Sequence, residues 1–394
     1  MKKVISMIKK NNIVYSIFSL IYLMFQRLYF GFFLLIFSIF PINKNKVMII
    51  SYYGKGYGDS GKYIANELLK NNEFIVYWAS NSKNSIPEGI NFVKYNSIVY
   101  LFHLATSKFW INNTRFRYGI RKRKNQFYIQ VWHGGLALKR VEYDVLDDLS
   151  IIYKMAMKND NKMIDLMVSN SKFCTEMYRK AFRYDGEIIE VGTPRNDILV
   201  NNSCDCYKKI ISDYYNFEVD SKILLYAPTF RNNYDENPYD IDFIKVKEIL
   251  NSRLGDNWKI LIRLHPNIKS LNLINYNDNL IDATNYPDMQ ELISACDLLI
   301  TDYSSTMFES LIANKPVVLY AKDIEMYKKS RGYYFKFDNL PFMLAKNNDE
   351  LFEILSHNSL LELKKDYKKF ISDVSLKETG KASKKIVEVM KKNK

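Results

Sequence analysis

Apolar positions divide the chain into two kinds of segment. Residues 13–42 form one nearly unbroken apolar run, interrupted only by Gln26 and Arg27. Its length suits either a membrane span or one or two helices lying in the bilayer interface, with a buried core helix of a soluble protein as the alternative. It is too long for a cleaved signal peptide and lacks a small-residue cleavage site. From residue 47 the pattern changes. Short runs rich in Val, Ile, Tyr and Phe predict strands at 47–53, 74–80, 108–113, 126–132, 163–169 and 187–192, with helical patterns such as 60–70 and 171–182 between them. A polar, irregular stretch follows at about 200–221. The alternation then restarts, with strands at 222–228, 258–264, 279–284, 297–303 and 316–320 and helices near 241–252, 287–295 and 304–313. Residues 347–394 read as wholly helical.

Strands alternating with helices predict βαβ units and parallel sheets. The expected class is therefore α/β, with two doubly wound Rossmann-like domains, 44–205 and 218–394, facing a central cleft. A basic and apolar membrane-associating segment, 1–43, precedes them. The length of 394 residues accommodates two cores.

Charge narrows the partners. Lys and Arg number 57 against 43 acids, a formal net charge of +14. This excess favours nucleic acid, an anionic lipid surface or a phosphate-bearing substrate. The basic residues are dispersed and form no nucleic-acid recognition motif, so no nucleic-acid partner is expected. Around the apolar run, Lys2, Lys3, Lys9 and Lys10 lie before it and Lys44 and Lys46 after it. That symmetry gives no positive-inside bias, and Arg27 in mid-run would be costly at a bilayer centre. Both facts favour an element lying in the interface. Cys174, Cys204, Cys206 and Cys296 have no metal-ligand spacing and read as reduced cytosolic thiols. No metal site is expected.

Four clusters sit where a predicted strand ends, the place where open parallel sheets bind ligands. In YYGKGYGDSGKYI, Gly54, Gly56, Gly58 and Gly61 make a flexible loop before a helix, able to cradle an anion or simply to turn. In QVWHGGLALKR, His133 stands at a strand end before two glycines. An ordinary imidazole pKa suits it to take a proton from a hydroxyl at neutral pH, although a structural histidine would fit there too. APTFR and IRLHP end two strands with Arg231 and Arg263 nearby, whose forked donors match phosphate oxygens. In DLLITDYSSTMFESL, Ser304 and Ser305 open a helix whose unpaired N–H groups favour an anion, unless the serines merely cap it. Glu309, four residues after Ser305, would share that helix face.

With these motifs in this order, the chain resembles the CDP-glycerol glycerophosphotransferase family. The resemblance covers most of 47–340: the glycine-rich segment Gly54–Ile64, Trp132–Gly134, Gly192–Asp197, Ala227–Arg231, Arg263–Pro266, Thr301–Ser305, Lys315–Tyr320 and Arg331–Phe335. It implies a GT-B-type fold and transfer of a polyol phosphate from CDP-glycerol or CDP-ribitol to a lipid-linked glycan or polymer acceptor. CMP is released, no cofactor is needed, and the reaction is metal-independent. It assigns His133 as the base and His265 as a second functional histidine. Arg231, Arg263, Ser304, Ser305 and Arg331 would contact donor phosphates, with Glu309 a ribose partner. Gly54, Lys55, Gly56, Gly134, Lys139 and Arg195 fall on the acceptor side. The chain departs from the family at Gly135, Leu136 and Ala137, where Thr-Pro-Leu is common, and at Glu309, where Asp is common. Teichoic acid or capsular polymer synthesis at the cytoplasmic face of the membrane is the implied setting. The rival readings are a GT-B glycosyltransferase using a nucleotide sugar and a non-catalytic polymer-binding protein at the membrane.

Overall fold

The computed structural model describes residues 12–70, 72–201, 205–231, 239–265, 268, 276–325 and 332–394. Arg331, Pro266, Cys204 and the lysines before residue 12 lie outside the described residues. The chain forms two compact units. The first comprises Met1–His133, Val141–Arg195 and Lys381–Lys394, the second Gly134–Arg140 and Asn196–Gly380.

The first unit begins with α1 (Asn12–Phe37). Its sheet contains β1 (Asn43–Ile50), β2 (Ile75–Ser80), β3 (Asn91–Lys94), β4 (Ser107–Asn112), β5 (Phe127–Gln130), β6 (Leu166–Ser169) and β7 (Glu187–Glu190). The order is β3-β2-β1-β4-β5-β6-β7, with every neighbouring pair parallel. Helices α2 (Asp59–Leu69), α3 (Ile98–Thr106), α4 (Ile151–Asn161) and α5 (Lys172–Ala181) make the crossovers. Ser97, Ser150 and Ser171 each accept a backbone N–H at the start of α3, α4 and α5, satisfying donors that a helix start leaves open. The strands are apolar on both faces because helices cover both, so the neighbours Val47 and Met48, Phe109 and Trp110, and Tyr128 and Ile129, which point to opposite faces, are all fully buried.

The second unit carries a six-stranded parallel sheet of β8 (Lys222–Ala227), β9 (Trp258–Ile262), β10 (Leu280–Asp282), β11 (Leu298–Thr301), β12 (Val317–Tyr320) and β13 (Met343–Ala345). Its order is β10-β9-β8-β11-β12-β13. Its helices include α6 (Asp205–Tyr215), α7 (Phe243–Leu254), α8 (Met289–Ala295), α9 (Thr306–Ile312) and α10 (Asn348–His357). Both sheets reverse their strand order once, between β1 and β4 and between β8 and β11. The crevice at the carboxyl ends of those strands is where such sheets bind ligands.

Three expectations are corrected. The irregular stretch expected at 200–221 contains α6, an amphipathic helix whose Ile211 and Ser212 are buried while Ile210 and Tyr214 are exposed. The region 347–394 is helical only in pieces, and its last helix, Ala382–Lys392, belongs to the first unit. That helix places Ile386, Val387 and Met390 in the core formed by Val47, Ile64, Leu68 and Trp78. Finally, α1 is part of the first unit. Ser19, Leu23, Gln26, Phe30 and Leu34 recur at helical spacing as its buried stripe. The loop at Gly119 touches α1 so closely that a Cβ there would lie 2.7 Å from the Arg27 Cα.

Candidate active site

In the first unit, the loops leaving β1, β4 and β5 converge. Gly54 has φ +83°, and a Cβ on it would lie 2.6 Å from the Tyr95 Cβ, so only glycine fits this turn. The Gly54 carbonyl accepts from the Asn81 N–H, and the Gly56 carbonyl accepts from the Trp78 indole. The glycine loop is thus anchored by its carbonyls, while the Lys55 side chain is exposed.

Past β5, Trp132 adopts φ +46° and turns the chain out of the sheet, its N–H donated to the Gln130 side chain. His133 follows. Its Nδ1 lies 2.8 Å from the Asn113 carbonyl oxygen, at the end of β4. A carbonyl only accepts, so Nδ1 carries the proton and Nε2 keeps its lone pair. Burial lowers the imidazole pKa, opposed by the Asn113 carbonyl and the Asp59 carboxylate. The ring is therefore neutral at neutral pH, the form a general base needs.

Asp59, the first residue of α2, and Arg195 form an ion pair of 2.6 Å with both side chains almost fully buried. The same Arg195 nitrogen donates to the His133 carbonyl oxygen at 2.9 Å. Burial disfavours the Asp59 carboxylate, but Arg195, the Ser60 N–H and the Tyr52 hydroxyl outweigh it and lower its pKa. Beneath Trp132 lies a second buried cluster. Arg115 bonds Asp160 at 3.0 Å, Asn161 at 2.7 Å and Glu142 at 2.8 Å, and stacks between the Trp132 and Phe182 rings. Tyr153 donates to Glu142. Burial raises the Asp160 pKa to about 6 despite Arg115. Arg195 was expected on the acceptor side, but its partner Asp59 and the whole Arg115 cluster were not, because their partners lie far along the chain.

Gly134 and Lys139, expected on the acceptor side with the first domain, belong to the second unit. The reason is a backbone ladder. Lys139 bridges Tyr333, Arg140 N donates to the Gly332 carbonyl, and Tyr334 N donates to Leu138.

In the second unit, the loops after β8 and β11 are tied together by Asp302. Its carboxylate accepts from the Thr229 N–H and hydroxyl and from the Tyr303 N–H, and pairs with Arg231 at 2.8 Å. Arg231 is corrected here. Its Nε and one Nη bind Asp323, the second Nη binds the Thr229 carbonyl and hydroxyl, and Asp302 takes the remaining donor. All five guanidinium N–H groups are engaged within the protein, so Arg231 organises the loops and has none over for a phosphate. Ser305 occupies the N-cap of α9 without a side-chain cap bond, and Ser304 Oγ accepts from the Thr306 N–H at 3.3 Å. Both serines are partly exposed. Glu309 is buried and accepts from the Gln290 amide at 3.0 Å. Arg263 is partly buried, with Nη1 on the Tyr286 carbonyl at 2.6 Å. His265 is exposed, 5.8 Å from the Phe230 ring. A cavity of about 990 Å³ beside β10, lined by Tyr215, Lys259, Tyr276 and Asp282, contains none of the expected site residues. Among the described residues, no group of three His, Cys, Asp or Glu side chains is placed to hold a metal ion.

The profile of the CDP-Glycerol:Poly(glycerophosphate) glycerophosphotransferase family matches residues 32–392. The chain is 29% identical over 370 residues to a teichoic acid poly(glycerol phosphate) polymerase of Bacillus spizizenii, covering 90% of this chain and 93% of that protein. It is 34% identical over 319 residues to a polymerase of the same description from Staphylococcus epidermidis, covering 76% of this chain and 44% of that protein. It thus spans less than half the length of that second relative. Among solved structures it matches the wall teichoic acid polymerase TagF with a TM-score of 0.79 and 30% identity, covering 89% of each chain. A match to MnaA of S. aureus, at 14% identity and a TM-score of 0.53, shows a shared fold only. The fold is of the GT-B type, and the chain belongs to the CDP-glycerol:poly(glycerophosphate) glycerophosphotransferase family.

Proposed function

We propose that this chain transfers a polyol phosphate from a CDP-polyol to a hydroxyl of a lipid-linked acceptor and releases CMP. The observation that carries the reading is the His133 imidazole, fixed through Nδ1 so that Nε2 is a neutral base beside the switch point of its sheet. The acceptor oxygen attacks the donor phosphorus that bears the polyol as its proton passes to Nε2. The bond from that phosphorus to the CMP oxygen breaks. Ser304, Ser305, Arg263 and His265 receive the donor phosphates at the carboxyl end of the second sheet, and Arg331 joins them by motif. Arg231 and Asp302 hold the loops that present these groups. Positioning and charge neutralisation do most of the work in such a transfer.

Two relatives matched over 93% of their own length, a teichoic acid poly(glycerol phosphate) polymerase and a teichoic acid glycerol-phosphate transferase, favour CDP-glycerol as donor. The wall teichoic acid polymerase TagF has also been soaked with CDPG. The chain acts at the cytoplasmic face of the membrane, lying on it through the exposed side of α1. Ile17, Leu20, Met24, Phe25, Leu28, Phe32 and Leu35 all lie on that side. Past its end, Arg123 binds the Phe40 carbonyl, and the exposed Lys44 and Lys124, near Phe40 and Arg123 respectively in sequence, supply cations for lipid headgroups.

The test is His133→Ala with CDP-glycerol and a lipid-linked acceptor, following CMP release. Turnover falls about 10²–10⁴-fold, the usual worth of a general base, while CDP-glycerol binding persists. Unchanged turnover defeats the role. A product that lacks the donor phosphate identifies a glycosyltransferase instead.

A further inference from the structure

We infer that Asp59 is a positioning residue for His133, acting through the Arg195 guanidinium and the Tyr52 hydroxyl. The inference rests on the transfer reading above. The five groups form a closed circuit. Asp59 Oδ2 accepts from Arg195 at 2.6 Å and from the Tyr52 hydroxyl at 2.8 Å. Arg195 donates to the His133 carbonyl at 2.9 Å. The Tyr52 N–H donates to the Asn113 side-chain carbonyl at 2.9 Å, and the Asn113 main-chain carbonyl holds His133 Nδ1 at 2.8 Å. Tyr52 and Asp59 come from the glycine-rich loop and Asn113, His133 and Arg195 from three other stretches, so the imidazole is held from both its backbone and its ring.

Three features of the circuit point to function rather than stability. A buried ion pair between residues 136 apart loses most of its Coulomb gain to desolvation, so it is a poor way to add stability. Asp59, Tyr52 and Trp132 have φ of +59°, +43° and +46°, left-handed conformations unfavourable for side chains of this size. Such strain persists only where surrounding contacts impose it, and these three of the twelve left-handed non-glycine positions among the described residues lie at the histidine or its hydrogen-bond partners. The Tyr52 ring lies 5.8 Å and the Trp132 ring 4.2 Å from the imidazole. The charged groups acting on the imidazole are Asp59 and Glu142, which favour its protonated form, and Arg195, which opposes it. As the base takes up the acceptor's proton, the Asp59 carboxylate stabilises the imidazolium.

Asp59→Asn in the full chain tests this, with CDP-glycerol and the same acceptor. The expected kcat falls about 10²-fold, as for a reacting group slightly misplaced. The KM for CDP-glycerol stays within about twofold. The acid limb of the kcat–pH profile moves to lower pH, because the imidazole loses its carboxylate and keeps Arg195. Arg195→Lys, which retains the charge without the fork, shows a smaller loss. A kcat within about threefold of wild type, or a lowered kcat with an unmoved limb, overturns the inference. If Asp59→Asn does not fold, Tyr52→Phe removes one hydrogen bond to Asp59 and leaves its charge, so it is read on kcat alone: a fall of more than about threefold with the KM for CDP-glycerol unchanged supports the inference, and an unchanged kcat overturns it. Wild type measured alongside separates the two claims. A wild type that releases no CMP defeats the transfer reading, whereas active wild type with an equally active Asp59→Asn defeats this inference alone.

Discussion

His103 stacks on the Tyr77 ring at 4.1 Å, close to Lys46, whose ammonium is buried against Thr106 at 2.6 Å. Burial and then the Lys46 charge lower its pKa from 6.5 to about 4. Between those values the unfolded chain binds a proton that the folded chain refuses, so stability falls as pH drops from 6.5 towards about 4. Thermal melts across that range should show a shallower fall for His103→Gln than for wild type, and parallel curves would refute the assignment. Residues of this kind expose what a sequence shows and hides. His133, Ser304 and Ser305 could be placed at strand ends from the sequence, which left a structural histidine and simple helix caps as alternatives, and their expected roles came from the family resemblance. Arg231 was legible as a cation but not as a loop organiser, since Asp302 and Asp323 lie 71 and 92 residues away. Asp59 was hidden inside a glycine-rich loop, where it read as one polar residue among several.

Among the elements, α1 shows most sharply how context decides. Nearly every position in it is apolar, so periodicity could not mark which stripe packs on the fold. Phe30 is buried and Phe25 and Leu28 are 62% and 71% exposed. Phe30→Ala should therefore destabilise the first unit by about 3–5 kcal/mol through the cavity it leaves. Phe25→Ser with Leu28→Ser should leave stability nearly unchanged and weaken sedimentation with anionic lipid vesicles. Vesicle binding that survives the double substitution would remove α1 as the membrane contact. The strands were mostly found because buried parallel strands are continuous apolar runs. The exceptions, β3 and β13, are edge strands with a single buried residue each. Helix α6 was missed because its apolar residues are interspersed with Lys208, Lys209, Ser212 and Asp213 and, among its described residues, only Ile211 and Ser212 are buried.

At the scale of the molecule, two parallel-sheet units could be read from alternation alone, but their membership could not. The helix Ala382–Lys392 reads as the end of the second half, yet Ile386, Val387 and Met390 complete the core of the first. Pattern gives an amphipathic helix its apolar face and does not say which core receives it. Removing residues 381–394 takes away five buried residues, of which Ile386, Val387 and Met390 are each worth about 1.5–3 kcal/mol, against a typical net stability of about 5–15 kcal/mol. Hydrogen exchange on that truncated chain should show the sheet of the first unit unprotected and the region around Trp258 still protected. Equal protection in both units would show that the helix is dispensable. The arrangement also sets an order of events at the ribosome. Every residue of the second unit emerges before Ile386, so that unit can close its core on the nascent chain. The first unit, although synthesised earlier, waits with one face of α2 uncovered until translation reaches Met390, and a chaperone has that interval in which to bind it.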